Sequence, residues 1–430
     1  MTRRNPLWRL LALVFALALV AAACGDDDDG GGGDAGDGPG TTENPGDGVL
    51  KIGYVLPQSG ALDFLGPPMI EAVKMAAQEI NDAGGVLGQP IELVETDSGT
   101  DPDIANTAVD NLLAEGVDYI VGPASSGVAL SVIDKITGAG IPMCSPSNTG
   151  VQFTDYDDDG FYFRTAPPDN LQAQVLADLI VADGHSNVVV MGRSDEYGEG
   201  FARFLAEEPE SLGATVSDTI IFDHEAGAYQ PEAQQIASAS PDAVAMISFD
   251  EGAQVLTAAI AEGVGPDAVQ WYGADGIQSS TFFEKVDRTN PAVVEGVRGT
   301  APSAAPADAE PSFRDRFSEF APNVDTIFSG HAFDCVMIGA LAAAAAESDA
   351  PADIQAEING VTIDGEKCTL AADCLTAVGE GTDIDYDGAA GPLDFVDAGE
   401  PGAGAYDTWT FNAEGGVEVI EESIPVAGDG

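Results

Sequence analysis

Short polar loops follow two apolar runs of this chain, at points where helices are predicted to begin. Residues 122–127 (GPASSG) follow the run at 119–121, and residues 145–149 (SPSNT) follow the run at 141–144. In open α/β sheets, ligands sit at the carboxyl ends of strands, beside helix N-termini. Hydroxyl groups and free backbone amides at two adjacent strand ends form a suitable cradle for a carboxylate. The alternative is that these residues are ordinary caps and turns.

A single acidic residue follows a later apolar run. Asp275 stands in a Gly-Ala-Asp-Gly turn directly after the run at 269–272. A carboxylate at a strand end attracts an ammonium group more strongly once water is excluded from around it. The alternative is an exposed acidic turn residue in a very acidic protein.

Patterns that would indicate catalysis or a metal site are weak. His185, His224 and His331 lack metal-ligand spacing, and the sequence has neither a G-x-S-x-G elbow nor a phosphate-binding loop. Residues 155–160 and 383–388 resemble the first half of a calcium loop. Their twelfth positions are Ala166 and Asp394, where such loops need a bidentate Glu. We therefore expect acidic turns there, and no catalytic residue, metal or cofactor.

The elements that must position these loops alternate between strand and helix. The periodicity predicts strands at 50–56, 91–94, 119–121, 141–144, 188–191, 216–222, 243–249 and 269–272, and helices at 66–83, 102–115, 128–136, 171–181, 200–206, 313–320 and 331–346. Residues 297–306 are interpreted as an Ala/Pro-rich connection, and 405–411 as the last strand. This alternation predicts an α/β fold with parallel sheets covered on both faces.

Several motifs in order resemble the leucine/isoleucine/valine-binding family of extracellular solute receptors. They are Ile52-Gly53 with Pro57 and Ser59-Gly60, the glycine-rich residues 84–88, Gly122-Pro123, Ile141-Pro142 with Ser145-Pro146, Phe163-Arg164, Tyr197-Gly198 and residues 391–395 (GPLDF). The resemblance implies a type I periplasmic binding protein: two Rossmann-like lobes joined by a three-crossing hinge. It places lobe 1 at about 49–166 plus 302–403, and lobe 2 at about 167–301 plus 404–430.

The resemblance also implies roles for individual residues. Ser125 and Ser126 match the pair that grips a ligand α-carboxylate, and the loop of Ser147, Asn148 and Thr149 matches the second contact to carboxylate and ammonium. Tyr197 matches the aromatic that the second lobe brings down, and Asp275 the acidic partner of the ammonium, where the family has Glu. Further candidates, by position, are Phe64 or Leu65 in the side-chain pocket, and Phe249.

The N-terminal residues have the pattern of an export signal. Arg3, Arg4 and Arg9 precede an apolar run too short to span a bilayer, and small residues lead to Cys24. Residues 1–23 are therefore interpreted as a lipoprotein signal peptide, Cys24 as the lipidated residue and the acidic, Gly-rich residues 24–48 as a disordered tether. Plain secretion with an incidental Cys is the alternative.

Charge and cysteine content limit the partners and the compartment. The formal charge is −58, from 73 acidic and 15 basic residues, which argues against nucleic acid and against anionic membrane surfaces. Contact with the membrane is expected through the lipid only. A short loop in an exported protein predicts a disulfide between Cys368 and Cys374. Cys144 and Cys335 either pair or are small buried hydrophobes.

These features together favour a non-enzymatic, lipid-anchored binding protein outside the cytoplasm. By resemblance it would capture an amino acid by hinge closure and deliver it to ABC permease subunits. The alternatives are a ligand-sensing receptor subunit and a binder of small amides or urea.

Overall fold

The computed structural model describes residues 45–211, 213–303 and 311–427. The predicted signal peptide, Cys24 and most of the predicted tether lie outside these residues. Within them, no helix is both long and apolar enough to cross a membrane.

Five parallel strands form the first sheet, in the order β2-β1-β3-β4-β5. Their bounds are β1 Lys51–Leu56, β2 Glu92–Asp97, β3 Tyr119–Val121, β4 Met143–Ser145 and β5 Tyr162–Arg164. The central strands are almost wholly buried, as expected of a parallel sheet covered on both faces. Since β3 and β4 are neighbours, the two polar loops predicted to form one cradle begin side by side.

Seven strands form the second sheet, in the order β15-β14-β10-β9-β8-β6-β7. They are β6 Asn187–Arg193, β7 Thr215–Phe222, β8 Ala243–Ile247, β9 Gln270–Gly273, β10 Arg298–Pro302, β14 Ala403–Phe411 and β15 Val417–Ala427. Strands β6 to β10 are parallel, and β14 and β15 add an antiparallel edge. The three short strands β11 Glu366–Cys368, β12 Ile384–Gly388 and β13 Gly391–Pro392 form a small third sheet. The acidic turn predicted at 383–388 is wrong, because pairing with β11 and β13 makes this segment a strand.

Two predictions for this second sheet are wrong. The Ala/Pro-rich connection contains β10, because pairing with β9 on one side and β14 on the other stabilises a segment of low intrinsic strand preference. The strand ending at Phe411 is not the last, because β15 follows as its antiparallel partner. The mostly exposed β15 lies at the sheet edge, so its sequence lacks the apolar run used to find buried strands.

Twelve α-helices cover the sheets in the described residues. They are α1 Gly66–Asp82, α2 Pro102–Ala114, α3 Ser126–Gly138, α4 Asp169–Ala182, α5 Glu196–Ser211, α6 Gln230–Ala239, α7 Gly252–Ala261, α8 Phe282–Asp287, α9 Phe313–Phe320, α10 Ser329–Ala345, α11 Pro351–Glu357 and α12 Ala371–Gly379. Helix α10 is buried on nearly every side, as expected of a helix that is apolar all round.

Elements of the two sheets are connected three times along the chain, between β5 and α4, between β10 and α9, and between β13 and β14. This is the α/β fold with parallel sheets that was predicted. The described residues form one compact unit, so the lobe boundaries stay a prediction.

The described residues contain two disulfides. Cys368 bonds to Cys374, as predicted, and Cys144 bonds to Cys335, the pairing that the sequence left open. Both sulfurs of the second pair are fully buried, and the bond joins β4 to α10. It therefore fixes the strand from which one predicted ligand loop begins.

Candidate functional site

The two polar loops of the first sheet are bonded to each other. Ser147 Oγ donates to the carbonyl of Ala124 (3.1 Å), and Ser126 Oγ accepts from the backbone N–H of Gly150 (3.3 Å). The turn after β3 depends on Gly122, whose φ of +98° lies in the left-handed region, and whose Cβ would meet the carbonyl of Val55. The structure thus brings the predicted serines together at one edge of the sheet.

A buried arginine holds the second loop in place. Arg164, at the end of β5, donates through Nη1 to the carbonyl of Gly150 (2.8 Å), and its Nε donates to Glu400 (2.8 Å). Its side chain is fully buried. The loop is therefore fixed from two sides, by Arg164 and by the disulfide behind β4.

The amino end of α3 faces this loop without a side-chain cap. Ser125 is the N-cap residue, yet its hydroxyl makes no capping hydrogen bond, whereas Asp101 caps α2 through two backbone amides. The first amides of a helix have no intrahelical partner and carry partial positive charge. The Glu196 carboxylate already lies beside Gly127 in this first turn, and the first amides of α3 can also bind an anionic group from outside the chain.

An aromatic pair comes from the second sheet. Tyr197 lies in the first turn of α5, Phe249 follows β8, and their rings stack with centroids 5.3 Å apart and planes 18° apart. Both side chains are buried. The Tyr197 hydroxyl has no hydrogen-bond partner in the described part of the chain.

Asp275 is buried, which argues against the exposed acidic turn. It follows β9 and accepts a hydrogen bond from Gln172 Nε2 on α4 (2.9 Å). Burial raises the pKa of Asp275 to about 6, and the hydrogen bond from Gln172 opposes this shift. An ionised carboxylate here is short of a cation.

A second buried carboxylate, Asp169, was missed by the sequence analysis. It is the first residue of α4, and its backbone N–H donates to the carbonyl of Thr149 (2.7 Å). Burial raises its pKa well above the ordinary value, a hydrogen bond from the Thr149 side chain opposes this shift, and the charge of Asp275 adds to it. The predicted helix began at residue 171, so Asp169 was assigned to the loop before it. The strand before it, β5, was not predicted either, so the sequence did not place Asp169 at a strand end.

Several polar atoms around these carboxylates lack partners. Gln172 Oε1 and the Tyr197 hydroxyl are buried and form no hydrogen bond with the residues described, and both carboxylate oxygens of Asp169 lack a partner at full hydrogen-bond geometry, although the Thr149 side chain is near enough to lower the pKa of Asp169. Leaving a buried polar group unpaired costs about 1–3 kcal/mol, so native structures seldom contain such a group without a reason. Burial raises the pKa of the Tyr197 hydroxyl, and the charges of Asp275 and Asp169 add to the shift, so these three groups lie near one another. Together they can receive a ligand with hydrogen-bond donors and a positive charge.

A cavity of about 830 Å³ lies between elements of the two sheets. Ser125 and Val128 line it from the first sheet's side, and Arg193, Asp250 and Lys285 from the second's. Ser126, Ser147, Thr149 and Asp275 do not line it, and all four are buried.

Three of the predicted ligand contacts have side chains that are bonded or packed within the protein. The Asn148 amide is engaged within the protein, since Nδ2 donates to the Ala124 carbonyl (2.8 Å) and Oδ1 accepts from the Tyr162 hydroxyl (3.1 Å). Leu65 is buried in the core and Phe64 is partly buried against it. Neither Phe64 nor Leu65 makes a ring contact or side-chain hydrogen bond with the other candidates in the described chain.

Among the described residues, no group of three or more His, Cys, Asp or Glu side chains could hold a metal ion.

Comparison with known proteins identifies related chains. Residues 49–391 match the family described as periplasmic binding protein. A Leu/Ile/Val-binding protein homolog of Brucella melitensis is 29% identical over 154 residues, which cover 36% of this chain and 42% of that protein. Two further relatives are covered over about half of their length. A substrate-binding protein of a chemotactic signal transduction system, BasB of Halobacterium salinarum, is 25% identical over 387 residues, or 83% of this chain and 85% of that protein.

A solved structure has the same fold. The leucine-binding protein LivK of Thermotoga maritima superimposes with a TM-score of 0.72 at 20% identity, covering 89% of this chain and 99% of LivK. At this identity the likeness concerns the fold.

Proposed function

Because the chain belongs to the periplasmic binding protein family, we propose that it captures a free α-amino acid outside the cytoplasm for an ABC importer. The observation that carries the proposal is the pair of buried carboxyl groups, Asp169 and Asp275, which form no ion pair with the residues described; the N-terminus of α3, which has no side-chain cap, supplies the complementary end. One end of the site suits an ammonium group, and the other suits a carboxylate. An α-amino acid carries both groups on one carbon.

The proposed complex assigns each polar group of the ligand to residues of the site. The α-carboxylate lies against the hydroxyls of Ser125 and Ser126 and the first amides of α3. The α-ammonium is shared by Asp169, Asp275 and the loop at Thr149. Tyr197 closes over the ligand with its unpartnered hydroxyl. The branched-chain binding named for relatives supports this class of ligand, and the shorter Asp275 leaves the choice of amino acid open.

A further part of the proposal concerns where the protein is held in the cell. Lipidation at Cys24 would tether the protein to the outer face of a membrane, beside its permease. Changing Cys24→Ser should release the protein or leave it unprocessed. A processed mutant that still fractionates with membranes would mean that the anchor lies elsewhere.

Sensing is the second candidate, favoured by the similarity to the chemotactic protein BasB over most of this chain. It uses the same ligand site but a different membrane partner. Crosslinking the ligand-loaded protein in its native membrane distinguishes the two: a permease supports import, and a signalling receptor supports sensing.

A thermal-shift panel of amino acids, small amides and urea tests the ligand class. A ligand that binds only the folded protein adds about 2.7 kcal/mol of stability at a hundredfold over its Kd. We expect shifts with one group of amino acids. A shift with amides or urea alone would replace the amino-acid proposal.

A further inference from the structure

Arg193 lies directly behind the aromatic pair of the site. Its guanidinium carbon is 3.8 Å from the centroid of the Phe249 ring, and that ring stacks on Tyr197. The three side chains form a layered stack of guanidinium, Phe249 and Tyr197, and all three are nearly fully buried.

Two carboxylates fix the guanidinium and the backbone around both rings. Arg193 Nε donates to Asp195 (2.8 Å), and Nη1 donates to Glu251 (2.8 Å). Asp195 also accepts from the N–H of Gly198, the residue after Tyr197 (2.9 Å). Glu251 likewise accepts from the N–H of Phe249 (3.0 Å). The same two ion pairs therefore position the guanidinium and the chain segments carrying each ring.

Close packing leaves the stack little freedom. At Gly198 a Cβ would collide with Arg193, and at Gly276, next to Asp275, it would meet Phe249 Cδ1 at 2.8 Å. The stack is thus packed against the turn that carries the predicted ammonium partner.

We propose that Arg193 is a positioning residue for ligand binding, acting on the Tyr197 hydroxyl through the face of Phe249. Arg193 also lines the cavity, but its Nε and Nη1 are bonded to Asp195 and Glu251 and its face covers Phe249, so the proposed effect passes through the stack. Phe249, predicted as a ligand contact, becomes the middle layer. This inference rests on the proposed function, because it assumes that Tyr197 contacts the ligand.

Lysine cannot take the place of Arg193 in this stack. Its ammonium keeps the charge but lacks the planar fork that bonds two carboxylates while stacking on a ring. The Arg193→Lys variant should therefore lose affinity nearly as Arg193→Met does, although the net charge is unchanged.

A double-mutant cycle with Tyr197→Phe tests the proposal. Calorimetry with an amino acid that binds the wild-type protein should give a loss of about tenfold in affinity for Arg193→Met. In the Tyr197→Phe background the same change should cost less than about threefold, because the hydroxyl it positions is gone. Arg203→Met is the matched control, since Arg203 covers the ring of Phe204 on the same helix away from the stack; its affinity should equal that of the wild type.

Equal losses in both backgrounds, or no loss in either, would overturn the positioning role while leaving the proposed function intact. If Arg193→Met fails to fold, Phe249→Leu takes its place in the cycle, with the same expectation. Failure of every amino acid to bind the wild-type protein would overturn the proposed function, and this inference with it.

Discussion

At the scale of single residues, Asp169 and Asp275 distinguish this site from an ordinary polar crevice. Both are buried, and Arg164, the cation that acts on Asp169, is already paired with Glu400. Asp275 could be predicted because it follows an apolar run in a glycine turn. Asp169 could not be predicted, because the two prolines before it interrupt the helical pattern and the start of α4 was therefore placed too late. Its role depends on burial, which no local pattern reports.

Removing the Asp275 carboxylate should abolish measurable amino-acid binding. Breaking a buried charge pair costs about 3–5 kcal/mol, which corresponds to about two to four decades in affinity. Calorimetry should find no binding by Asp275→Ala, partial binding by Asp275→Glu and unchanged binding by the exposed control Asp267→Ala. Near-wild-type affinity in Asp275→Ala would mean that the ligand presents no ammonium at this position.

The pH dependence of binding should follow the same carboxylate. Since burial raises the pKa of Asp275 to about 6 in the unliganded protein, affinity should fall as the pH drops through that value. The unliganded fold should respond in the opposite sense, because a carboxyl with a raised pKa gains stability for the folded state on protonation. Calorimetry and thermal unfolding between about pH 5 and pH 8 measure both effects. Asp275→Asn should not bind measurably, so the variant is tested by unfolding alone: the contribution of Asp275 to the pH dependence of unfolding should disappear, and an unchanged unfolding profile would contradict the assignment.

At the scale of elements, the sequence predicted most of what positions the site. The predicted bounds of β3 and α9 agree with the observed ones, and those of α1, α2 and α10 agree to within a few residues. Each of these elements is a long or clearly bounded apolar pattern. Strands β10 and β15 were missed because pairing with β14 stabilises both, and pairing partners distant in sequence leave no local signal.

The two disulfides should differ in their contribution to stability. The bond between Cys144 and Cys335 closes a loop of 191 residues, and that between Cys368 and Cys374 closes one of 6. The chain-entropy account gives about 5 and about 2 kcal/mol. Denaturant unfolding of Cys144→Ala/Cys335→Ala and Cys368→Ala/Cys374→Ala should show the larger loss in the first variant. A larger loss in the second would contradict this ranking.

At the scale of the whole molecule, the charge of −58 places like charges around the cavity between the two sheets. Asp63, before α1, acts on Asp250, after β8, and its charge helps to raise the pKa of the Asp250 carboxyl, for which burial is the main cause. Lys285 pairs with Asp250 and offsets part of the repulsion. Like charges are therefore opposed across the crevice between the first and second sheets.

Ligand affinity should consequently increase with salt concentration. Salt screens exposed charges strongly and buried pairs weakly, so it relieves the repulsion across the crevice more than it weakens the ammonium contacts. Calorimetry from about 0.1 M to about 1 M salt should show a rising affinity, with a smaller slope in Asp63→Asn. An affinity that falls with salt, as for an exposed ion pair, would contradict this expectation.

The most direct measurement of the central claim compares one bound amino acid with two matched analogues. One analogue lacks the α-carboxylate and the other lacks the α-ammonium, while the side chain stays the same. Calorimetry should show binding of the amino acid and a loss of at least about two decades in affinity for each analogue. Binding of the acid that lacks the ammonium with the affinity of the amino acid would contradict a site built around Asp169 and Asp275.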